Sequence, residues 1–203
     1  MAGIEQKNAR QHRIVTAALL VLAVGSCSSA PDGPPRAQDD VCAIFAQRPE
    51  WRDATEASAA RWGVPVELQM AIIWRESSFR GAVRPPRRYA LGFIPWGRAS
   101  SAYGYAQAID GTWDWYRDET GNSGADRTDF DDAADFVGWY VAKTILTNDV
   151  GLFDAYSHYL AYHEGHTGFR NGSYLAKPWL MKVARDVAAQ TARYRGQLHS
   201  CRA

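Results

Sequence analysis

The stretch Leu68-Gln69-Met70-Ala71-Ile72-Ile73-Trp74-Arg75-Glu76-Ser77-Ser78-Phe79 decides how the rest of the chain is read. Pro65, just upstream, suits the first turn of a helix, where a missing N–H is tolerated. Leu68, Ile72 and Glu76 follow at intervals of four, so they share one helix face. A carboxyl group therefore ends an apolar stripe at the C-terminal end of a buried helix. Desolvation and the negative end of the helix dipole both disfavour its charged form and raise its pKa. A carboxyl that stays protonated near neutral pH is what a general acid for glycosidic cleavage requires. The alternative is an ordinary carboxylate paired with Arg75 or Arg80, and this segment alone leaves both open.

On either side the pattern is mostly helical. Trp51, Ala54, Ser58, Arg61 and Trp62 fall on helical spacing, with Gly63 as a stop. Asp110-Gly111-Thr112-Trp113 opens a helix that Gly121 ends. Asp131 or Asp132 caps a helix carrying Ala133, Phe136, Val137, Tyr140, Val141 and Ile145. A further helix covers Leu152 to Tyr162, and the last runs from about Pro178 to about Arg195, with Gly196 as its stop. Strand signals are few and short, and there is no internal repeat. The expected class is mostly α, one domain over residues 41–203. Composition agrees: 203 residues, 46% hydrophobic and 22% charged, are globular and exclude a wholly disordered chain. No apolar run approaches the ~20 residues of a spanning helix. Four Lys and 19 Arg against 22 acidic residues disfavour a polyanion-binding protein, so nucleic acid is not an expected partner.

Two further segments bear on the Glu76 alternatives. Gly104-Tyr105-Ala106-Gln107-Ala108-Ile109-Asp110-Gly111-Thr112-Trp113 follows after a loop, and Ala161-Tyr162-His163-Glu164-Gly165 comes later. In that order, behind Glu76-Ser77-Ser78-Phe79, they resemble the three signature segments of the soluble lytic transglycosylases with the lysozyme-like (goose-type) fold. The family pattern is Glu-Ser-x-Phe/Trp, then Gly-Leu-Met-Gln-Ile-x-x-x-Thr, then Ala-Tyr-Asn-x-Gly. The first segment matches fully. The second keeps Gly104, Gln107 and Thr112 but has Tyr105-Ala106 for Leu-Met, and the third has His163 in the Asn place. The resemblance covers roughly residues 54–194.

The resemblance implies a lytic transglycosylase of peptidoglycan. Glu76 falls on the sole catalytic acid/base, Gln107 on a substrate-contacting glutamine of the groove, and Tyr162 on a tyrosine whose hydroxyl lies near the catalytic carboxylate. Ser77 and Tyr103 join Gln107 and Tyr162 as substrate-binding candidates. The implied reaction cleaves the β-1,4 bond between N-acetylmuramic acid and N-acetylglucosamine and closes a 1,6-anhydro ring without water, needing no metal and no cofactor. His163 in place of an amide would make hydrogen bonding near the site pH-dependent. A muramidase on the same fold would instead need a second carboxylate or a held water, for which Asp110 and Asp114 are the candidates near a motif. A non-catalytic wall-binding lipoprotein would be marked by loss of the acid, and Glu76 is present.

The loop from Arg80 to Tyr103 carries Arg84, Arg87, Arg88, Phe93, Trp96 and Arg98. Its arginines and aromatics either bind lactyl or stem-peptide carboxylates and stack on sugars, or form a solvated turn with Phe93 and Trp96 covering the core. His158, His163, Glu164 and His166 look metal-like, but His163-Glu164-Gly165-His166 is one residue short of His-Glu-x-x-His, so the spacing that shares a helix face is missing.

At the N-terminus, Lys7, Arg10 and Arg13 precede an apolar run from Ile14 to Val24, which meets Val24-Gly25-Ser26-Cys27. A charged n-region, a short h-region and small residues before a cysteine read as a lipoprotein signal over residues 1–26, with Cys27 lipidated. An ordinary signal cleaved near Ser26 or Ala30 is the alternative. Residues 27–40, rich in Pro, Ser, Gly and Asp, read as a flexible tether. Ser28 after Cys27 favours the periplasmic face of the outer membrane, and a monomer is expected. If Cys27 carries lipid, Cys42 and Cys201 remain, and in an oxidising compartment they pair as a disulfide joining the domain's ends or stay as two unrelated thiols.

Overall fold

The computed structural model describes residues 33–201. The signal at 1–26, the lipidated Cys27 and the first part of the tether lie outside the described residues. Among the described residues seven helices occur in order: α1 (Val41–Gln47), α2 (Pro49–Trp62), α3 (Val66–Ser77), α4 (Asp110–Thr120), α5 (Phe130–Asn148), α6 (Ala155–Arg170) and α7 (Pro178–Ser200). Between α3 and α4 lies one antiparallel hairpin, β1 (Arg87–Ala90) and β2 (Ile94–Arg98), and a 3₁₀ turn (Ser173–Ala176) precedes α7. The class is mostly α, as the periodicity predicts.

Helix α3 is the axis of the domain. Val66, Leu68, Met70, Ala71, Ile72 and Ile73 are all buried, so apolar side chains take most of the helix circumference and must be enclosed. Helices α2, α5 and α7 enclose it, and α6 packs between α5 and α7. Gln69, polar but buried among them, is held by donating to the carbonyls of Val64 (2.9 Å) and Thr55 (3.3 Å). Helices α2 and α5 approach closely at Gly138, where a Cβ would lie 2.3 Å from Ser58 Oγ and 2.8 Å from the Trp62 ring. Ser58 donates to the Ala134 carbonyl at 2.9 Å across that contact. Asp135 ties the same pair of helices to α4, accepting from Trp62 (2.7 Å), Arg61 (2.9 Å) and Tyr116 (2.8 Å).

Several boundaries differ from the sequence reading. The cap of α5 is Asp129, whose carboxylate accepts from the N–H groups of Asp131 and Asp132. The helix starts earlier because Phe130 stacks on Trp51, ring centroids 4.1 Å apart. Helix α7 runs through Gly196, since burial of Tyr194 and Leu198 on either side outweighs the roughly 1 kcal/mol a mid-helix glycine costs. Helix α6 extends beyond Tyr162 but breaks at Gly165, with φ 74° and ψ 158°. The described part of the expected tether is not a free linker. Pro35 is buried, the Gly33 carbonyl accepts from Arg48 (2.8 Å), and Gln38 donates to the Ser78 carbonyl (3.2 Å). The Ser78 carbonyl at α3's exit and the side chains of Gln47 on α1 and Gln197 on α7 hold this segment, which composition alone does not reveal. Cys42 and Cys201 form a disulfide between α1 and the end of α7, Cα atoms 5.9 Å apart.

Candidate active site

Glu76 lies in the last turn of α3, and the chain reverses directly after it. Ser78 and Phe79 both take left-handed backbone (φ 51° and 59°), an uncommon pair for non-glycine residues. The Ser78 N–H closes the helix on the Trp74 carbonyl at 2.8 Å, and Phe79 is buried against Trp51. Such strain persists only where packing enforces it, and it concentrates at functional sites. Here it turns the backbone away and leaves Glu76 at the floor of a cleft.

The cleft, about 480 Å³, is lined by Glu76 with Gln107, Thr112, Tyr140, Tyr162, His163 and Glu164 among others. All three signature segments thus meet at one place. The second segment reaches it by a turn that only glycine permits: at Gly104 (φ 83°) a Cβ would lie 2.0 Å from the Arg127 carbonyl oxygen. Tyr105, standing where the family has Leu, packs its ring edge against Trp51 and Phe130 and pins this turn to the core. Gln107, itself left-handed (φ 49°), donates to the carbonyls of Gly104 (2.7 Å) and Val83 (3.0 Å). Its backbone is strained and its amide anchored, so its position in the cleft wall is fixed.

Glu76 is partly open to the cleft but closely surrounded by protein. Burial raises its pKa to about 7, against a hydrogen bond from Tyr159 and the charge of Arg75, which lower it only in part. Tyr159 is buried on α6, and its own hydroxyl is pushed far above its ordinary value by burial and by Glu76. Tyr162 also feels the Glu76 charge, but its hydroxyl donates to the Ala106 carbonyl at 2.6 Å, bolting the second segment to the third. The hydroxyl that holds the Glu76 pKa down is that of Tyr159, one turn earlier on the same helix. Sequence reasoning missed it, although its i−3 spacing from Tyr162 is a visible signal.

The cleft holds a second carboxyl of opposite character. Glu164 has a side chain only 3% exposed, bound by Lys177 Nζ (2.7 and 3.0 Å), His163 Nδ1 (3.0 Å) and Ser173 Oγ. Desolvation pushes its pKa up, yet these hydrogen bonds outweigh it and hold the group at about 2. It is a permanent anion already neutralised by Lys177. His163, in the Asn place, is fixed by Glu164 on one side and by the edge-on Trp179 ring at 5.3 Å on the other.

Other sequence candidates fall elsewhere. Ser77 is 2% exposed and donates to the Ile73 carbonyl at 3.2 Å, so it closes the helix and cannot reach substrate. Tyr103 bridges Ala108 in the backbone and stacks under Arg84 (3.8 Å), and it does not line the cleft. Asp110 and Asp114 pair at the surface with Arg127 (2.6 Å) and Arg117 (3.6 Å). His158 is buried with Nε2 3.1 Å from the Gly151 carbonyl oxygen, while His166 stacks on Tyr140 and meets Thr144, so both point away from His163. Phe93 and Trp96 are exposed on the hairpin and do not cover the core.

Residues 15–201 match the family model of the transglycosylase SLT domain. No curated protein matches the chain. The match spans nearly the whole sequence, and the chain belongs to the SLT-domain family, that of lysozyme-like lytic transglycosylases acting on peptidoglycan.

Proposed function

We propose that this SLT-domain protein cleaves the glycan strand of peptidoglycan between N-acetylmuramic acid and N-acetylglucosamine, leaving a 1,6-anhydromuramoyl end. The observation that carries the reading is the contrast between the two carboxyls of the cleft. Glu76 changes protonation near neutral pH, whereas Glu164 stays ionised and bound to Lys177. One group alone is suited to give a proton and take one back.

In the first step the Glu76 carboxylic acid protonates the bridging oxygen, and the C1–O bond of the muramoyl residue breaks. Charge develops at C1 beside the Glu76 carboxylate that has just formed. In the second step that carboxylate removes the proton of the muramoyl C6 hydroxyl, whose oxygen closes on C1. Glu76 returns to its acid form and no water is consumed. Tyr159 stabilises the carboxylate between the steps, while Gln107, Thr112 and His163 offer polar groups to the sugars along the wall. Hydrolysis by a muramidase route is disfavoured because Asp110 and Asp114 are paired outside the cleft. Product mass tests the reading: digestion of purified sacculi should give muropeptides lighter by one water than hydrolytic products, and hydrated ends alone would overturn it.

The same proposal places the chain in the cell envelope, anchored through a lipidated Cys27 to the periplasmic face of the outer membrane and working as a monomer. Mass analysis of the mature N-terminal peptide should find a diacylglyceryl cysteine at position 27. An unmodified N-terminus would overturn the anchor.

A further inference from the structure

Eleven large apolar side chains are exposed among the described residues, and five of them fall within positions 89–96 on the β1–β2 hairpin. Leu91 (82%), Phe93 (73%) and Trp96 (76%) are nearly bare, with Tyr89 and Ile94 beside them. A concentration of this kind on a monomer marks an interaction site. The two strands pair with each other and make no substantial contact with any helix. None of the five residues lines the cleft, which takes only Ser100 and Ala102 from this loop. Stacking on a sugar bound at Glu76 therefore does not account for them.

Charge supplies the second observation. Between Glu76 and Asp110 the sequence has no acidic residue and five arginines, at 80, 84, 87, 88 and 98. The strand register arranges both features in layers. Arg87 faces Arg98 at the base, Tyr89 faces Pro95 and Ala90 faces Ile94 further out, and Leu91-Gly92-Phe93 forms the turn. From base to turn is about 13 Å at the usual rise per residue of a strand. Arg84, Arg87 and Arg98 are exposed. Arg84 stacks on Tyr103 and Arg98 donates to the Pro85 carbonyl, and a guanidinium with five N–H donors keeps others for a second partner.

An apolar tip, an aromatic collar and a cationic base reproduce, in order, the layers of a bilayer surface approached from outside: acyl chains, interface and anionic headgroups. We propose that the β1–β2 hairpin is a membrane-docking finger. Leu91 and Phe93 enter the acyl boundary, Tyr89 and Trp96 sit at headgroup level, and Arg84, Arg87 and Arg98 meet the phosphates of anionic phospholipids. This contact is separate from any lipid at Cys27 and from the chemistry at Glu76. It would orient the cleft relative to the membrane rather than attach the chain to it.

The test uses the full chain in vesicles of phosphatidylethanolamine and phosphatidylglycerol containing lipids brominated near the headgroup end of the acyl chains. Comparing wild type with Trp96→Phe isolates one indole from the other seven and cancels any contribution of the N-terminal segment. Bromine should quench a component of the fluorescence that the variant lacks, and the combined Leu91→Ser and Phe93→Ser changes should remove that quenching. In vesicles of phosphatidylcholine alone it should fall severalfold. Equal quenching of wild type and Trp96→Phe would overturn the proposal, and quenching indifferent to lipid charge would overturn its headgroup assignment. The Leu91→Ser, Phe93→Ser chain, its helical circular dichroism unchanged, should turn over soluble glycan fragments like wild type. A loss of turnover there would assign the hairpin to the glycan instead and overturn the membrane reading.

Discussion

Tyr159 on α6 lowers the pKa of Glu76 at the end of α3, so the helix carrying the third signature segment also tunes the acid of the first. A hydrogen bond to a charged acceptor is worth roughly 1.5–3 kcal/mol. In Tyr159→Phe the carboxylate loses that stabilisation, and the Glu76 pKa should rise above its present value of about 7. The alkaline limb of the pH–rate profile should move to higher pH, while the rate on the plateau falls roughly tenfold or more, because the second step needs the carboxylate. An unmoved limb would mean that Tyr159 is packing only.

Stability should carry the mark of the same group. The folded pKa of Glu76, about 7, lies above the ordinary 4.5. Below 4.5 both states hold the proton. From 4.5 to about 7 the unfolded chain ionises while the desolvated folded site keeps its proton, so stability is lost as pH rises and the loss is complete once the pH has passed through 7. Glu76→Gln has nothing to ionise. It should match wild type near pH 4 and be more stable above pH 7 by about 1–3 kcal/mol, read from urea midpoints across pH. A variant less stable than wild type at high pH would contradict the burial argument.

Much of this site was legible in the sequence. The four-residue spacing of Leu68, Ile72 and Glu76 placed a carboxyl at the end of an enclosed helix, and the second and third segments supply Gln107, Thr112, Tyr162 and His163 to the same cleft. What stayed hidden depends on partners distant in sequence. Glu164 reads as an ordinary acid beside His163 until Lys177 and Ser173 fold back onto it from beyond α6. Ser77 reads as a site residue by its place next to Glu76, yet helix periodicity turns it into the core. The pairing of Arg127 with Asp110, which removes a candidate second carboxylate, joins elements that no local pattern links.

Gly104→Ala should disrupt the second segment. Left-handed backbone costs an alanine about 1–2 kcal/mol, and the added Cβ also meets the Arg127 carbonyl at 2.0 Å. A stability loss of at least about 2 kcal/mol is expected, with activity lowered further because Gln107 and Ala106 shift. A thermal midpoint equal to wild type would show that the turn has room not visible in the structure.

The disulfide closes 159 residues of separation between Cys42 and Cys201. Removing such a bond typically costs about 2–5 kcal/mol through the unfolded chain. The paired Cys42→Ser and Cys201→Ser variant should unfold at lower urea with its helix content intact, and thiol titration of the denatured wild-type mature domain should find neither cysteine free. Two titratable thiols would remove the link between α1 and α7.

The central claim rests on Glu76 acting in both steps. Glu76→Gln keeps the size and most hydrogen bonding of the side chain but cannot exchange a proton. The measurement is release of 1,6-anhydromuropeptides from purified sacculi by this variant, with folding verified by circular dichroism and thermal midpoint. General acid–base assistance is worth roughly 10²–10⁴-fold, and with one group serving twice the loss should reach or exceed the upper figure. Release at near wild-type rate by the folded variant would show that Glu76 is not the catalyst.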